Sequence, residues 1–496
     1  MTRTFQQWQH MAVSLQIEAR CFIDGTFTPA EGGATFACHS PIDGRKLADV
    51  SAAQPADVER AVAAARASFD SGVWSQISPR ERKGVLLRWA QLIREHNDEL
   101  ALLDTIDAGK TITDTVTGDI PCVVYCVEWF AEAIDKLSGE VIGTDPAFLG
   151  MVTREPIGVV AAVVPWNYPL LMAAWKFAPA LAAGNSVIIK PSEKSPLSIL
   201  KAAQLAKQAG IPDGVFQVLP GAGEVGGALS LHHDIDCLAF TGSGPTGRKI
   251  LRNAADSNLK RVWLELGGKS PNIILKDCPD LQRAASAAAF GIFANAGQVC
   301  SAGSRVLVQR DLLPAFLEHL QQASANFKAG NPLDPSTTVG ALVDEIQLKR
   351  VLSYIDRGNT EAKLLLGGTR SEPEAGGYYV EPTIFTCADA RPAIAREEIF
   401  GPVLSVVPFD STEEAISIAN ASEYGLAAAV WSADIATAHE MGRKLRAGTV
   451  WINCYDEIVD MNFPFGGYKQ SGNGRDNSLH ALEKYTELKS TIMRLR

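Results

Sequence analysis

Gly158-Val159-Val160-Ala161-Ala162-Val163-Val164-Pro165-Trp166-Asn167-Tyr168-Pro169 decides the fold. The apolar run 159–164 fits a strand buried on both faces, and Pro165 stops it before a helical pattern begins at Leu170. The alternation then repeats. A strand over 186–189 precedes a helix from Pro196, one over 215–219 a helix from Glu224, and one over 236–240 a helix from Gly244. Residues 261–266 close the series. Such alternation predicts parallel βαβ units and a doubly wound sheet. A second series, with strands near 272–275, 305–309, 403–408 and 427–431, reads as a second α/β domain. Upstream, 55–69 reads as an amphipathic helix with Val58, Ala61, Val62, Ala65 and Phe69 on one face, and 80–99 reads as another. No internal repeat or flexible linker interrupts the chain.

At 496 residues the chain exceeds what one core usually supports, so two or three domains are expected. A hydrophobic content of 46% and a charged content of 21% are ordinary for a globular protein. The net charge of −10 argues against non-specific binding to nucleic acid or an anionic membrane. Met1 to Arg20 lacks the apolar core of a signal peptide, and 159–164 is far too short to span a bilayer. A cytoplasmic location is therefore expected, and nine cysteines without tight spacing fit reduced thiols there. Cys122 and Cys126 lie four apart on a predicted helix, with no histidine or further cysteine nearby. His232-His233 falls in a predicted solvated loop. Metal is not expected.

Chemistry concentrates elsewhere. Cys300 ends Phe293-Ala294-Asn295-Ala296-Gly297-Gln298-Val299-Cys300, a run of mostly small, uncharged residues. Glu265 opens Glu265-Leu266-Gly267-Gly268-Lys269-Ser270. A thiol and a carboxylate can divide a two-step acyl chemistry, one attacking and the other activating water. A lone cysteine among small residues is usually only packing. These two segments do not stand alone. Pro165-Trp166-Asn167-Tyr168-Pro169, Lys190-Pro191-Ser192-Glu193, Glu397-Glu398-Ile399-Phe400-Gly401-Pro402 and Pro464-Phe465-Gly466-Gly467-Tyr468-Lys469 accompany them in order. Together they resemble the NAD(P)-dependent aldehyde dehydrogenase family over nearly the whole chain.

The resemblance implies two doubly wound α/β domains plus a small bridging β-sheet for oligomerisation. An NAD-binding domain would take 1–137 and 157–266, a catalytic domain 267–466, and a bridging segment 138–156 with 478–496. Two segments outside the cores by pattern, 148–154 and 486–495, would form that sheet between subunits of a dimer or tetramer. A terminal strand left without a partner needs an edge to pair with, which gives assembly a physical motive. The resemblance also implies Cys300 as nucleophile, Glu265 as general base and the Asn167 amide as oxyanion donor beside the Cys300 backbone N–H. A helix N-terminus, or the positive nicotinamide, would lower the thiol pKa. A thiohemiacetal, then a thioester, then a carboxylate would follow. A CoA-acylating enzyme, or a non-catalytic structural protein on the same fold, is the alternative.

Two segments match G-x-G-x-x-G, Gly221 to Gly226 and Gly242 to Gly247, and each follows a predicted strand. A Rossmann search for an acid about 20 residues beyond Gly242 lands on Glu265. The resemblance assigns the adenine ribose to Lys190 and Glu193 instead, and a glutamate there would repel a 2′-phosphate, favouring NAD over NADP. It also places Pro165, Trp166, Ser192, Gly223, Gly242, Ser243, Leu266, Glu398 and Phe400 around the cofactor. Gly268-Lys269-Ser270 is no Walker loop, because Trp263 stands where that motif needs its first glycine.

Within the family the ending 469–489 and Trp129 to Lys136 are most similar to bacterial γ-glutamyl-γ-aminobutyraldehyde and 4-guanidinobutyraldehyde dehydrogenases. Asp476 replaces a glutamate common elsewhere in the family, and Ala296 replaces a glutamine. The loop from Asn453 to Phe463 looks one residue longer, with added bulk at Ile458, Val459 and Phe463. Trp129, Tyr168, Met172, Trp175, Ser301, Tyr455, Phe463 and Phe465 would form the aldehyde tunnel. An aromatic set suits flat apolar groups. Two substrate classes stay open: an amino- or guanidino-aldehyde paired by Asp456, Glu457 or Asp460, and an arylacetaldehyde such as indole-3-acetaldehyde.

Overall fold

Strand Val159–Val163 is buried at every residue, and its side chains alternate between two cores. Val160 and Ala162 pack with helices Pro79–Glu95, Ile120–Ala133, Pro169–Ala182 and Leu197–Ala209. Val159, Ala161 and Val163 pack with Pro55–Ser71, Gly223–Leu231 and Gly244–Ala255 on the other face. This is why the run is apolar without alternating: period two is present, but neither face meets water. The computed structural model describes residues 3–495, so residues 1, 2 and 496 of the expected domain spans lie outside it.

The first sheet has the order Arg261–Leu266, Cys237–Gly242, Val159–Val163, Ser186–Lys190, Phe216–Val218, Cys21–Ile23, Thr26–Thr28. The first five strands are parallel. Chain order reverses between Val159–Val163 and its neighbour Cys237–Gly242. In open α/β sheets ligands bind at such a switch point, beyond the carboxyl ends of the strands. Register places Val163 beside Lys190 and Gly242 beside Leu266, so the segments leaving these strands emerge along one edge.

The second sheet runs Lys363–Leu366, Thr383–Thr386, Val403–Phe409, Arg305–Gln309, Pro271–Ile274, Ala427–Trp431, Thr449–Ile452. All neighbours are parallel except the first pair. Lys363–Leu366, Thr383–Thr386 and Thr449–Ile452 go beyond the sequence expectation. Each is only four residues long, too short for periodicity to register.

Two expectations need correction. The helix expected over 80–99 is two helices. Pro79–Glu95, capped by Ser78 and Glu81, ends at His96 (φ −101°, ψ 21°), and Asn97–Ala108 starts afresh. The His96 ring nitrogen Nδ1 lies 2.9 Å from the Leu92 carbonyl, competing for the last turn. The terminal strand is also not without a partner in its own chain. Thr486–Arg494 pairs antiparallel along Phe148–Pro156, from Thr486 opposite Pro156 to Arg494 opposite Phe148. Glu140–Ile142 adds a third strand on the far side. Thr486–Arg494 remains the edge of this sheet, and Leu488, Ile492 and Met493 on it are exposed.

Candidate active site

The turn before Cys300 is conformationally unusual. Helix Leu281–Phe293 ends, and Asn295 (φ 49°), Ala296 (φ 53°) and Gly297 (φ 71°) all take left-handed backbone. Left-handed residues in succession cost energy unless their surroundings enforce them. A Cβ on Gly297 would lie 2.1 Å from the Gly401 carbonyl oxygen, so only glycine fits. The turn presents Gln298 as a buried hub. Its side-chain oxygen accepts from Val343 N–H at 3.0 Å, and its amide donates to Ala341 O at 3.3 Å. Its backbone carbonyl accepts from Asn167 Nδ2 at 2.8 Å and from Asn295 Nδ2 at 3.2 Å. Asn295 Nδ2 also donates to Asn167 O at 3.0 Å. Asn167 is thereby fixed against the Cys300 loop, with one amide hydrogen spent and the other left over.

Glu265 is next to last in strand Arg261–Leu266. The segment around Gly472 covers that strand's outer edge, with Asn473 N–H donating to Leu264 O at 3.1 Å. The carboxylate is 3% exposed, and neither of its oxygens has a hydrogen-bond partner among the described residues. A buried carboxylate without donors favours its neutral form. Burial pushes Glu265 well above the usual range and negative Asp476 adds to this, while Lys176, Lys484 and Arg475 pull it down. Lys176 and Lys484 each donate to one oxygen of Asp476, and all three groups are buried. The sequence reading gave none of the three a role. Lys176 lies within the apolar run of Pro169–Ala182, and that isolation was the available signal.

Burial also pushes the Cys300 thiol well above its ordinary value, and the charges of Glu265, Glu398 and Asp456 add to it. The Ser301 backbone N–H works the other way. The expectation of a helix N-terminus at the thiol is corrected: Cys300 follows a turn and no helix begins there.

Gly267 and Gly268 bring the two halves of the site together. A Cβ on Gly267 would lie 2.2 Å from the Glu398 carboxylate, and one on Gly268 would lie 2.6 Å from Cys300 O. Gly268 N–H donates to Glu398 Oε1 at 3.1 Å. Arg350 holds the Glu398 carbonyl at 2.6 Å. Phe400 has left-handed backbone (φ 62°) and meets Trp166 edge-on, with ring centroids 5.4 Å apart. At the other end, buried Lys190 donates to Glu193 Oε2 at 3.3 Å, and the Glu193 side chain is 43% exposed. Pro165 and Ser192 lie at the ends of the two central strands, Ser192 buried. Gly223 opens one helix, and exposed Ser243 precedes another. Gly242 passes the Phe240 ring where a Cβ would clash at 2.6 Å, and Leu266 packs over Gly247.

On the opposite side, Trp175 and Phe465 meet at 5.3 Å, and the buried Trp175 Nε1 has no acceptor among the described residues. Met172 is buried and Tyr168 half-buried. Trp129 Nε1 donates to Asn462 Oδ1 at 3.2 Å, and Phe463 is exposed on the same loop. Tyr455 is 1% exposed, and its hydroxyl donates to Ser301 O at 2.6 Å. Of the three acids on this loop, Glu457 pairs with Arg283 at 2.7 Å. Asp460 accepts from Asn462 N–H at 2.9 Å. Asp456 has no hydrogen bond or ion pair among the described residues, and burial raises it to about 6.

A thiol, a fixed amide donor and a buried carboxylate support addition to a carbonyl and later hydrolysis of an acyl group. Comparison with known proteins agrees. The model of the aldehyde dehydrogenase family matches residues 27–491. The NADP/NAD-dependent aldehyde dehydrogenase PuuC of Escherichia coli (strain K12) is 53% identical over 484 residues, 97% of each chain. The crystal structure of γ-glutamyl-γ-aminobutyraldehyde dehydrogenase from Burkholderia cenocepacia superposes with a TM-score of 0.99 at 65% identity, covering 100% of both chains. The indole-3-acetaldehyde dehydrogenase AldA of P. syringae, in complex with NAD+ and IAA, does so at 0.98 and 56%, again covering 100% of both. With the match running through both large sheets and every segment of the site, the chain belongs to the aldehyde dehydrogenase family.

Proposed function

We propose that the enzyme oxidises an aldehyde to a carboxylate with NAD, through a thiohemiacetal and a thioester on Cys300. The observation that carries this reading is the buried Glu265 carboxyl, which has no hydrogen-bond partner among the described residues and is electrostatically linked to the Cys300 thiol. The switch point fits a dinucleotide. Two helices open there at Gly223 and Ser243, Glu193 offers a carboxylate to a ribose, and Gly267 leaves room for Glu398. Pro165, Trp166, Lys190, Ser192, Gly242, Leu266 and Phe400 complete the set. Bound there, NAD supplies the hydride acceptor and a positive charge. Cys300 Sγ adds to the carbonyl carbon as its proton passes to Glu265, which gives it up to solvent before the later hydrolysis. The free N–H of Asn167 and the Cys300 backbone N–H hold the oxyanion. Glu265 takes a proton from water as that water attacks the thioester. Hydrolysis frees the acid and restores the thiol.

For the substrate, unpaired Asp456 favours an ω-amino- or guanidino-aldehyde, because its charge reaches Cys300 and Tyr168 while Glu457 and Asp460 are engaged. Relatives named for a γ-glutamylamino aldehyde and an indole aldehyde bracket the choice. Asp456→Asn is expected to raise KM for the cationic aldehyde about 10- to 100-fold and to leave indole-3-acetaldehyde little changed. Below pH 6 wild-type Asp456 protonates, so KM for the cationic substrate should climb there as well. The reverse selectivity would favour the arylacetaldehyde reading.

Assembly is read from the exposed edge Thr486–Arg494, which another subunit can cover. Truncation after Tyr485 should lower both molecular mass by light scattering and activity, and an unchanged oligomer with full activity would contradict this. No helix among the described residues is long and apolar enough to cross a membrane. Nine free cysteines fit the cytoplasm.

A further inference from the structure

Lys110 is 2% exposed, an unusual place for an ammonium. Its Nζ lies 3.5 Å from the centroid of the Tyr168 ring and 3.3 Å from Asp119 Oδ2. Asp119 is itself buried. Burial raises its carboxyl to about 6 against the pull of Lys110, so this carboxylate is ionised at pH 8. Tyr168 follows Asn167 directly, and the charges of Asp456 and Cys300 act on it. One face of its ring is thus held by a desolvated cation.

The backbone around Lys110 reaches the same hub by another route. Gly109, in left-handed conformation (φ 78°), ends helix Asn97–Ala108, and its carbonyl accepts from Ala341 N–H at 2.9 Å. Gly340 must be glycine, since a Cβ there would lie 2.2 Å from Gly109 O. Ile112 N–H donates to Pro332 O at 2.8 Å and Thr113 Oγ1 to Pro335 O at 3.0 Å. Ala341 and Val343 in turn hold Gln298, whose carbonyl fixes Asn167. Side chain and backbone of one short segment therefore converge on the Asn167–Gln298 pair from two sides.

We infer that Lys110, clamped by Asp119, is a positioning residue for aldehyde oxidation that holds Tyr168 by its ring face and so fixes the Asn167 donor relative to Cys300. The inference rests on the aldehyde-oxidation reading above. Buried cation–π contacts are among the stronger ones, so Lys110→Met should lower kcat for aldehyde oxidation about thirtyfold and leave KM for NAD unchanged. Lys110→Arg keeps a cation that can sit over the ring and should restore most of the loss. A merely structural lysine would not distinguish these, because both replacements would disturb packing and neither would rescue. Should Lys110→Met fail to fold, Asp119 decides the matter: Asp119→Asn releases the clamp on Lys110 and should lower kcat in the same direction with KM for NAD unchanged, and Asp119→Glu, which keeps the carboxylate, should restore most of it. Equal impairment of the Met and Arg variants, a matching loss of NAD affinity, or equal activity of the Asp119→Asn and Asp119→Glu variants would overturn the inference. A wild-type enzyme that oxidises no aldehyde with NAD would instead overturn the functional reading beneath it.

Discussion

Cys300→Ala is expected to abolish NAD-linked aldehyde oxidation, with turnover falling on the order of 10⁴-fold or more. The loss follows from the chemistry, since no second thiol shares the position. The other buried cysteines, Cys21, Cys38, Cys126, Cys237 and Cys387, lie in apolar cores. NAD affinity, followed by fluorescence titration, should survive, because the proposed cofactor contacts come from other residues. Activity near the wild-type level in this variant would remove the nucleophile from the account.

Glu265→Gln is expected to slow steady turnover by about 10²–10⁴-fold, the usual contribution of a general base, with little change in NAD affinity. A large loss of NAD affinity would instead return Glu265 to the Rossmann ribose role that motif spacing alone assigns it. The pH dependence has a defined sign. Glu265 and Cys300 are both pushed upward in the folded state, and both work deprotonated, so wild-type turnover should rise with pH. The folded chain holds the Glu265 proton to a higher pH than the unfolded chain. Stability from this group is therefore lost as pH rises, opposite to the gain in rate. The glutamine variant should show a flatter pH profile for thioester hydrolysis.

How much of this was legible in the sequence depends on the range of the contacts. The run at Val159 announced its strand because burial on both faces leaves a local signature. The motifs around Cys300, Glu265 and Glu398 were legible as a set, and the glycines among them have steric reasons visible only in three dimensions: Gly267 for Glu398, Gly268 for Cys300 O, Gly297 for Gly401. The Lys176–Asp476 contact joins residues 300 apart, and nothing in either local sequence names the other. The same holds for Lys110 and Tyr168. The terminal strand was legible as a strand, but its pairing within the chain was not, because its partner, Phe148–Pro156, lies far away in the sequence. The break at His96 lay hidden in a helical pattern that continues on both sides of it.

In the proposed reaction Cys300 carries an acyl group that Glu265 is needed to release. Glu265→Gln mixed with NAD and aldehyde, then quenched in acid and weighed intact, tests this most directly. The expected result is a burst of NADH equal to the active-site concentration, and an acyl adduct that peptide mapping places on Cys300. Slow decay of the adduct without CoA, unaffected when CoA is added, separates hydrolysis from an acyl-CoA-forming reaction. A variant that turns over without accumulating an adduct, or that carries it on another residue, would contradict the account.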